Sequence, residues 1–199
     1  LDARDAYTQV YDVDTADWVT VFGDEGTELF FFPDSFMKSD GTLADGDVQV
    51  ELIEIFDKGS MLVTDMPSMG QLPSGELAQL ISGGEHYVGA TQEGEELRLN
   101  GTFQMTTPAS NTGGPDMEMN MFRAEVDAGV PAGRDDQAVW VEEEADREAF
   151  GIAGEGGGAD GADTMYWAIS DQFGWTNIDR WYSDPRPKTT INVDVPDGW

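Results

Sequence analysis

The sequence predicts an all-β protein, an antiparallel β-sandwich or two β-rich halves with little helix, and three observations lead there. Short segments alternate apolar and polar residues with the period of a strand that has one buried and one wet face. Turn signals rich in Gly, Asp and Pro separate them, and between residues 20 and 107 they recur at roughly the 8 to 12 residue spacing of sandwiches and barrels. Only the stretch 142–150 has helical propensity, and its run of acids reads equally well as a solvated loop.

Residues 6–22 alternate around Val10, Val13, Trp18, Val19 and Val21, which predicts one or two opening strands. Gly23-Asp24-Glu25-Gly26 is a turn, and residues 27–32 form a short apolar strand stopped by Pro33. The clearest strand is 47–56, where Val48, Val50 and Leu52 share one face. Residues 58–75 scatter Met61, Leu62, Val63, Met66 and Met69 among Gly, Ser and Pro, and read as irregular chain with one short strand. A strand is expected at 76–82. Residues 86–91 and 96–99 flank Gln92-Glu93-Gly94-Glu95, a hairpin signal with Gly in the turn. Residues 102–107 complete a first β-sandwich-like domain, 1–108.

Residues 109–116 read as a linker. Beyond it, 117–199 is expected as a second β-rich, Trp-rich domain or an extension of the same sandwich. In 117–122 three methionines alternate with polar residues, a pattern that reads as core filling. Further strands are expected at 139–141, 165–169, 173–182 and 189–195, with a glycine-rich loop at 154–163.

Composition bounds the function. The chain has 199 residues, 39% hydrophobic and 11% aromatic, enough for a sizeable core. Its 40 Asp and Glu against 10 Lys and Arg give a net charge of -30. Such a surface repels phosphate backbones, so no nucleic-acid partner is expected, and acid-rich, lysine-poor surfaces suit concentrated salt, where repulsion is screened. No apolar run approaches the roughly 20 residues of a membrane span, so no membrane insertion is expected. There is no cysteine, hence no disulfide or thiolate chemistry. Leu1 in place of Met suggests a processed amino terminus, as after signal-peptide removal.

Catalytic patterns are sparse. His86 is the only histidine, no Gly-x-Ser-x-Gly elbow exists, and a zinc site built from several His or Cys is excluded. The glycine-rich loop lacks the Gly-Lys-Ser/Thr ending of a phosphate cradle. With so many acids, a carboxylate pair at hydrolase spacing carries no information. No catalytic residue is therefore assigned, and no enzyme is expected. Calcium is the candidate cofactor, because 12–17, 40–47 and 160–163 offer hard oxygen donors at close spacing, with Asp40, Asp45 and Asp47 as candidate ligands; none completes an EF-hand loop. Trp140, Trp167, Trp175, Trp181 and Trp199 read either as core or as a sugar-stacking platform.

Phe31-Phe32-Pro33-Asp34-Ser35-Phe36, then Asp40-Gly41, then residues 46–54 (Gly-Asp-Val-Gln-Val-Glu-Leu-Ile-Glu) resemble the opening of ZU5-like β-sandwich modules of large bacterial surface proteins. Lys58-Gly59-Ser60-Met61-Leu62, Ser82-Gly83-Gly84-Glu85-His86-Tyr87 and Gly94-Glu95-Glu96-Leu97-Arg98-Leu99 look like secreted Bacteroidetes-type surface proteins of unassigned function. Residues 174–182 are similar to a Gly-Trp-x-Asn-x-Asp-Arg-aromatic signature in that group, which often has Cys where this chain has Ile178. The resemblance implies a surface module and brings no catalytic residues.

Within that segment Trp175, Asn177, Asp179, Arg180, Trp181 and Tyr182 are the candidate ligand-binding residues. Their architectural role would be a tight turn held by Asn177 and Asp179, with Arg180 on Asp179 or stacked on Trp175 or Trp181. The expectation is a non-enzymatic structural or adhesive module, extracellular or on the cell surface, with itself, other surface proteins or glycans as partner. A carbohydrate-binding module and a carboxylate-dependent hydrolase are the alternatives. Sugar binding predicts a row of exposed rings; the architectural role predicts buried ones.

Overall fold

The structure, a computed structural model, describes residues 2–143, 149–154 and 164–182. The expected strand at 189–195, the loop 160–163, Trp199 and most of the stretches 142–150 and 154–163 lie outside the described residues.

A short 3-10 turn, Ala3–Tyr7, leads into β1 (Thr8–Asp14), β2 (Val19–Phe22), β3 (Glu28–Phe31), β4 (Phe36–Met37) and β5 (Asp47–Ile55). After β5 come helix α1 (Lys58–Val63), β6 (Met69–Gln71) and the long β7 (Leu77–Gln92). β8 (Glu95–Glu96), β9 (Arg98–Leu99) and β10 (Phe103–Pro108) complete the first half. The second half adds β11 (Asn120–Asp127), β12 (Val130–Pro131), β13 (Val139–Glu142), β14 (Phe150–Ala153), β15 (Met165–Ser170) and β16 (Gly174–Trp181).

The chain is all-β, as its patterning predicts, but its larger sheet does more than face a partner sheet. That sheet runs β1-β5-β7-β16-β11-β13-β6, and β6 also pairs with β7. One edge of β7 therefore serves two neighbours: β6 along Leu77 to Gln79, and β5 from Glu85 onward. The circuit β7-β16-β11-β13-β6 closes into a small barrel, while β1 and β5 extend from it. Pairing is antiparallel except between β13 and β6. The second sheet, β14-β15-β10-β3-β2, packs on the extended part.

Strand alternation then creates two cores. Val48, Val50 and Leu52 of β5 pack with Phe31, Phe103 and Tyr166 of the second sheet. The opposite face of β5, Ile53 and Ile55, joins Leu80, Phe122, Trp140 and Trp175 in the second core, within the ring. Glycines allow the sharing of β7: Gly84 has φ +143°, and a Cβ there would lie 2.3 Å from the Phe56 ring.

Strands from beyond residue 117 enter both sheets begun before residue 108: β16 lies between β7 and β11, and β15 beside β10. Residues 109–112 form a 3-10 turn whose Ala109 is buried. The segment between the halves is thus packed against the fold it joins.

Residues 58–63 are helical where irregular chain is expected. Asp57 caps the helix, its Oδ1 accepting from the N–H groups of Gly59 (2.9 Å) and Ser60 (3.0 Å). Burial of Met61 then stabilises a helix too short to form alone. The hairpin after β7 is as expected, with Glu93 (φ 53°) and Gly94 (φ 83°) forming its two-residue turn. In the methionine stripe Met119 and Met121 are core, but Met117, before β11 begins, is exposed.

Candidate functional site

β16 carries every candidate ligand-binding residue except Tyr182, and its alternation divides them between the inside and the outside of the ring. Trp175 is buried: its indole N–H donates to the Arg134 carbonyl (3.1 Å), and the Arg4 guanidinium lies 5.8 Å from its ring centre. Arg4, itself buried, donates to the carbonyls of Thr64, Arg134 and Asp136, tying the amino-terminal turn to the rim of the second core. Trp181 packs edge-on against Phe122 and donates its indole N–H to Glu142 (2.6 Å). Tyr182 continues the ladder, its N–H on the Gln79 carbonyl.

Arg180 points outward. It bonds Asp116 (2.7 Å) and approaches Glu118 (3.7 Å), whereas Asp179 or a stacked ring was the expected partner. The reason is strand parity: adjacent residues of a strand face opposite ways, so Arg180 cannot follow Asp179 into the ring. Residues 174–182 are correspondingly an eight-residue strand and its exit, with a bulge between Asn177 and Asp179, where a tight turn is expected.

Inside the ring the same parity gathers polar groups. Asn177 pairs with Glu85 and Asp179 with Ser82, across the bulge opposite Gly83 and Gly84. Glu85, Asn177 and Asp179 are each 0% exposed. The Ser82 hydroxyl donates to Asn177 Oδ1 (2.9 Å), and Asn177 Nδ2 donates to Asp179 Oδ2 (2.8 Å). Asp179 Oδ1 and both carboxyl oxygens of Glu85 lack a close hydrogen bond, the Trp140 indole N–H being the donor that faces Glu85. Burial drives the Glu85 carboxyl well above the usual range and the neighbouring Asp179 pushes it further, against the opposing effect of the Trp140 indole N–H. Asp179 is also well raised, by burial, although Ser82, Gly83 and Asn177 favour its anion. Glu85 is a site residue the sequence reading passes over. Its signal is there in retrospect: an acid at an inward position of an apolar strand, just after Gly-Gly.

On the opposite face of the sheet, Glu54 and His86 pair across β5 and β7 and look toward the second sheet. Glu54 is buried, yet it accepts from Gln9 Nε2 (2.8 Å) and from the N–H groups of Glu25 (3.0 Å) and Thr27 (3.0 Å). Burial alone would raise its pKa, but these bonds, with the Thr27 hydroxyl, lower it below the ordinary value. His86 is fully buried, 3.2 Å from the Thr107 hydroxyl. Burial brings its pKa down to about 4 despite the charge of Glu54, so it is neutral at pH 7. Both side chains join one sheet to the other.

Asp40, Asp45 and Asp47 do not converge as a group, and among the described residues no three His, Asp or Glu form a metal-holding cluster. Asp40 accepts from the N–H and hydroxyl of Thr42, which lower its pKa. Asp45 and Asp47 both offer backbone carbonyls to the Gln92 amide (2.9 and 3.0 Å).

Exposed aromatics collect elsewhere. Trp18 (66% exposed) and Phe32 (42%) flank Phe30, with ring centres 5.2 to 5.7 Å apart, and Phe22 (64%) ends β2. Among the described residues β2 is an edge strand, paired on one side by β3. Comparison of the chain with protein-family models, curated proteins and solved structures finds no match.

Proposed function

We propose that the protein is a non-enzymatic structural or adhesive module of a cell surface, working outside the cytoplasm in saline surroundings, as its ZU5-like segments suggest. It associates with a second copy of itself through the β2 edge. The observation that carries this reading is the aromatic group of Trp18, Phe30 and Phe32 beside a strand edge that is unpaired among the described residues, on a chain with a net charge of -30. An edge strand offers unpaired N–H and C=O groups to a neighbouring strand, and the rings offer apolar area. Charge repulsion opposes such pairing in dilute buffer and is screened in brine.

Two further points support it over the alternatives. Trp175 is buried and Trp181 spends its N–H on Glu142, so neither offers a flat open platform to a sugar. The group of Trp18, half-buried Phe30 and Phe32 is not flat either, since two of its three ring pairs meet edge to face. Glu85 and Asp179 have the raised pKa of a hydrolase acid, but both are sealed from solvent.

Light scattering from low to molar salt tests the proposal. Assembly that rises with salt, and that Trp18→Ala with Phe32→Ala reduces at least tenfold, is the expected result. A monomer at every salt and protein concentration rejects it.

A further inference from the structure

Independently of what the surface binds, the interior of the ring holds two acids without a counter-charge. Glu85 of β7 and Asp179 of β16 are fully buried on paired strands at the bulge opposite Gly83-Gly84, close enough for the charge of one to act on the other. Among the described residues no Lys or Arg forms an ion pair with either acid, since Arg123, Arg134 and Arg180 are engaged by other acids. Donors are also too few for two anions. Ser82, Gly83 and Asn177 favour the Asp179 carboxylate, but only the Trp140 indole N–H favours that of Glu85. Glu85 Oε1, Glu85 Oε2 and Asp179 Oδ1 lack a close bond. A protonated carboxyl carries no charge and has an O–H to donate, so one proton removes one buried anion and supplies one missing donor.

Among the described residues, the other groups around this core do not offset its charge. Glu142 of β13 is a further acid, exposed and bonded by Asn120 of β11 and Trp181 of β16. Arg4, from the amino-terminal turn, gives its guanidinium to the carbonyls of Thr64, Arg134 and Asp136. Two phenols pack on the core: Tyr7 bonds Ser60, and burial with the charge of Glu51 pushes Tyr87 up to about 12. β5, β11 and α1 turn Ile55, Phe122 and Met61 toward the core, β6 brings Gly70 against Trp181 and Leu80, and the turn 109–112 meets Gly83 through Thr112. Glu54 and His86 lie on the opposite face of the sheet.

We propose that Glu85 and Asp179 share a proton at neutral pH and latch the ring: in alkali the proton passes to hydroxide, two anions face each other in a dry core, and β16 parts from β7 at the bulge. The latch sits at the strand that joins β7 to β11 within the ring. β5 stays paired with β7, and the second sheet, which contains neither acid, stays intact. Both carboxyls are raised above their unfolded values, so at neutral pH the folded chain binds more protons than the unfolded one. Stability therefore falls as pH rises toward the folded value, the reverse of the Glu54 contribution.

The Glu85→Gln/Asp179→Asn double variant replaces each acid by an uncharged group of the same shape. From about pH 7 to about pH 10, the folded-to-unfolded ratio of the wild type in urea titrations should fall relative to the variant by about tenfold per pH unit until the proton is lost. Hydrogen exchange corrected for intrinsic rates should show the amides of 174–181 losing protection in the wild type while those of 103–108, in the second sheet, keep theirs. The variant should show no such split. Parallel pH dependence of the two proteins, or a loss of protection that begins in the second sheet, would overturn the proposal.

If the double variant does not fold, infrared spectra of the wild type decide. A band from a protonated carboxyl should be present at pH 7 and should vanish over the pH range in which residues 174–181 lose protection. Absence of the band at pH 7, or its survival after those amides have opened, overturns the proposal.

Discussion

At the scale of single residues, the fold depends on buried polar groups that have one permissible neighbour. Gly23 is such a case: a Cβ there would stand 2.4 Å from Glu54 Oε2. The absent side chain leaves room for the carboxylate that binds the β2–β3 turn through the N–H groups of Glu25 and Thr27. Gly23→Ala is expected to lower stability by about 1–3 kcal/mol in urea denaturation, the range for a forced steric insertion. Glu54→Gln should cost about 2–3 kcal/mol at pH 7, because charge-assisted bonds to backbone N–H groups are lost. The folded-state pKa of Glu54 lies below its unfolded value, so its stabilisation is present above the unfolded value, near 4.5, and is lost as pH falls through the folded value. The variant should therefore lose less stability than the wild type between neutral pH and strongly acid pH. Equal acid sensitivity of the two proteins would contradict this. Neither role is readable from sequence, since nothing in the neighbours of Gly23 or Glu54 says that the β2–β3 turn will lie against β5.

At the scale of elements, β7 decides the architecture. Its 16 residues are much longer than an ordinary strand, and its bend at Gly83-Gly84 lets it contribute to the ring and to the sandwich in turn. Gly84→Ala should cost about 3 kcal/mol, from the φ of +143° together with the clash with Phe56. Loss of near-ultraviolet circular dichroism from the ring tryptophans at lower denaturant would report it; an unchanged unfolding midpoint would show that the bend is not needed. From sequence, β7 appears as two strands with a glycine break at Ser82-Gly83-Gly84. Locally that is a fair description, because only pairing with β6, β5 and β16 makes one strand of it. For α1, Gly, Ser and Pro among the apolar residues of 58–75 read as irregular chain, and only the Asp57 cap together with burial of Met61 and Met66 makes residues 58–63 helical.

At the scale of the whole molecule, the use of the few cations matters more than their number. Arg4 is buried, while Arg123, Arg134 and Arg180 each hold acids from separate parts of the chain. Positive charge is thus spent on joining elements, and the surface is left strongly anionic. Thermal stability should rise as sodium chloride is increased from about 0.1 M to about 1 M, where the screening length falls from about 10 Å to about 3 Å. A midpoint that is flat or falls over that range would mean that the surface acids are not under mutual strain.

The sequence by itself determined the all-β class, most strands, the Glu93-Gly94 hairpin and the anionic surface, because these follow from alternation, turn chemistry and charge, which are local or additive. It also pointed to residues 174–182 as the place to look. Only the tertiary structure decided that the larger sheet closes into a ring, that Arg180 leaves Asp179 for Asp116, and that Asp179 meets Glu85 in a dry interior. Ring closure depends on pairing between β6 and β13, strands separated by about a third of the chain, and burial of a given acid depends on which strand lies across from it. Neither quantity is encoded in the spacing of neighbouring residues.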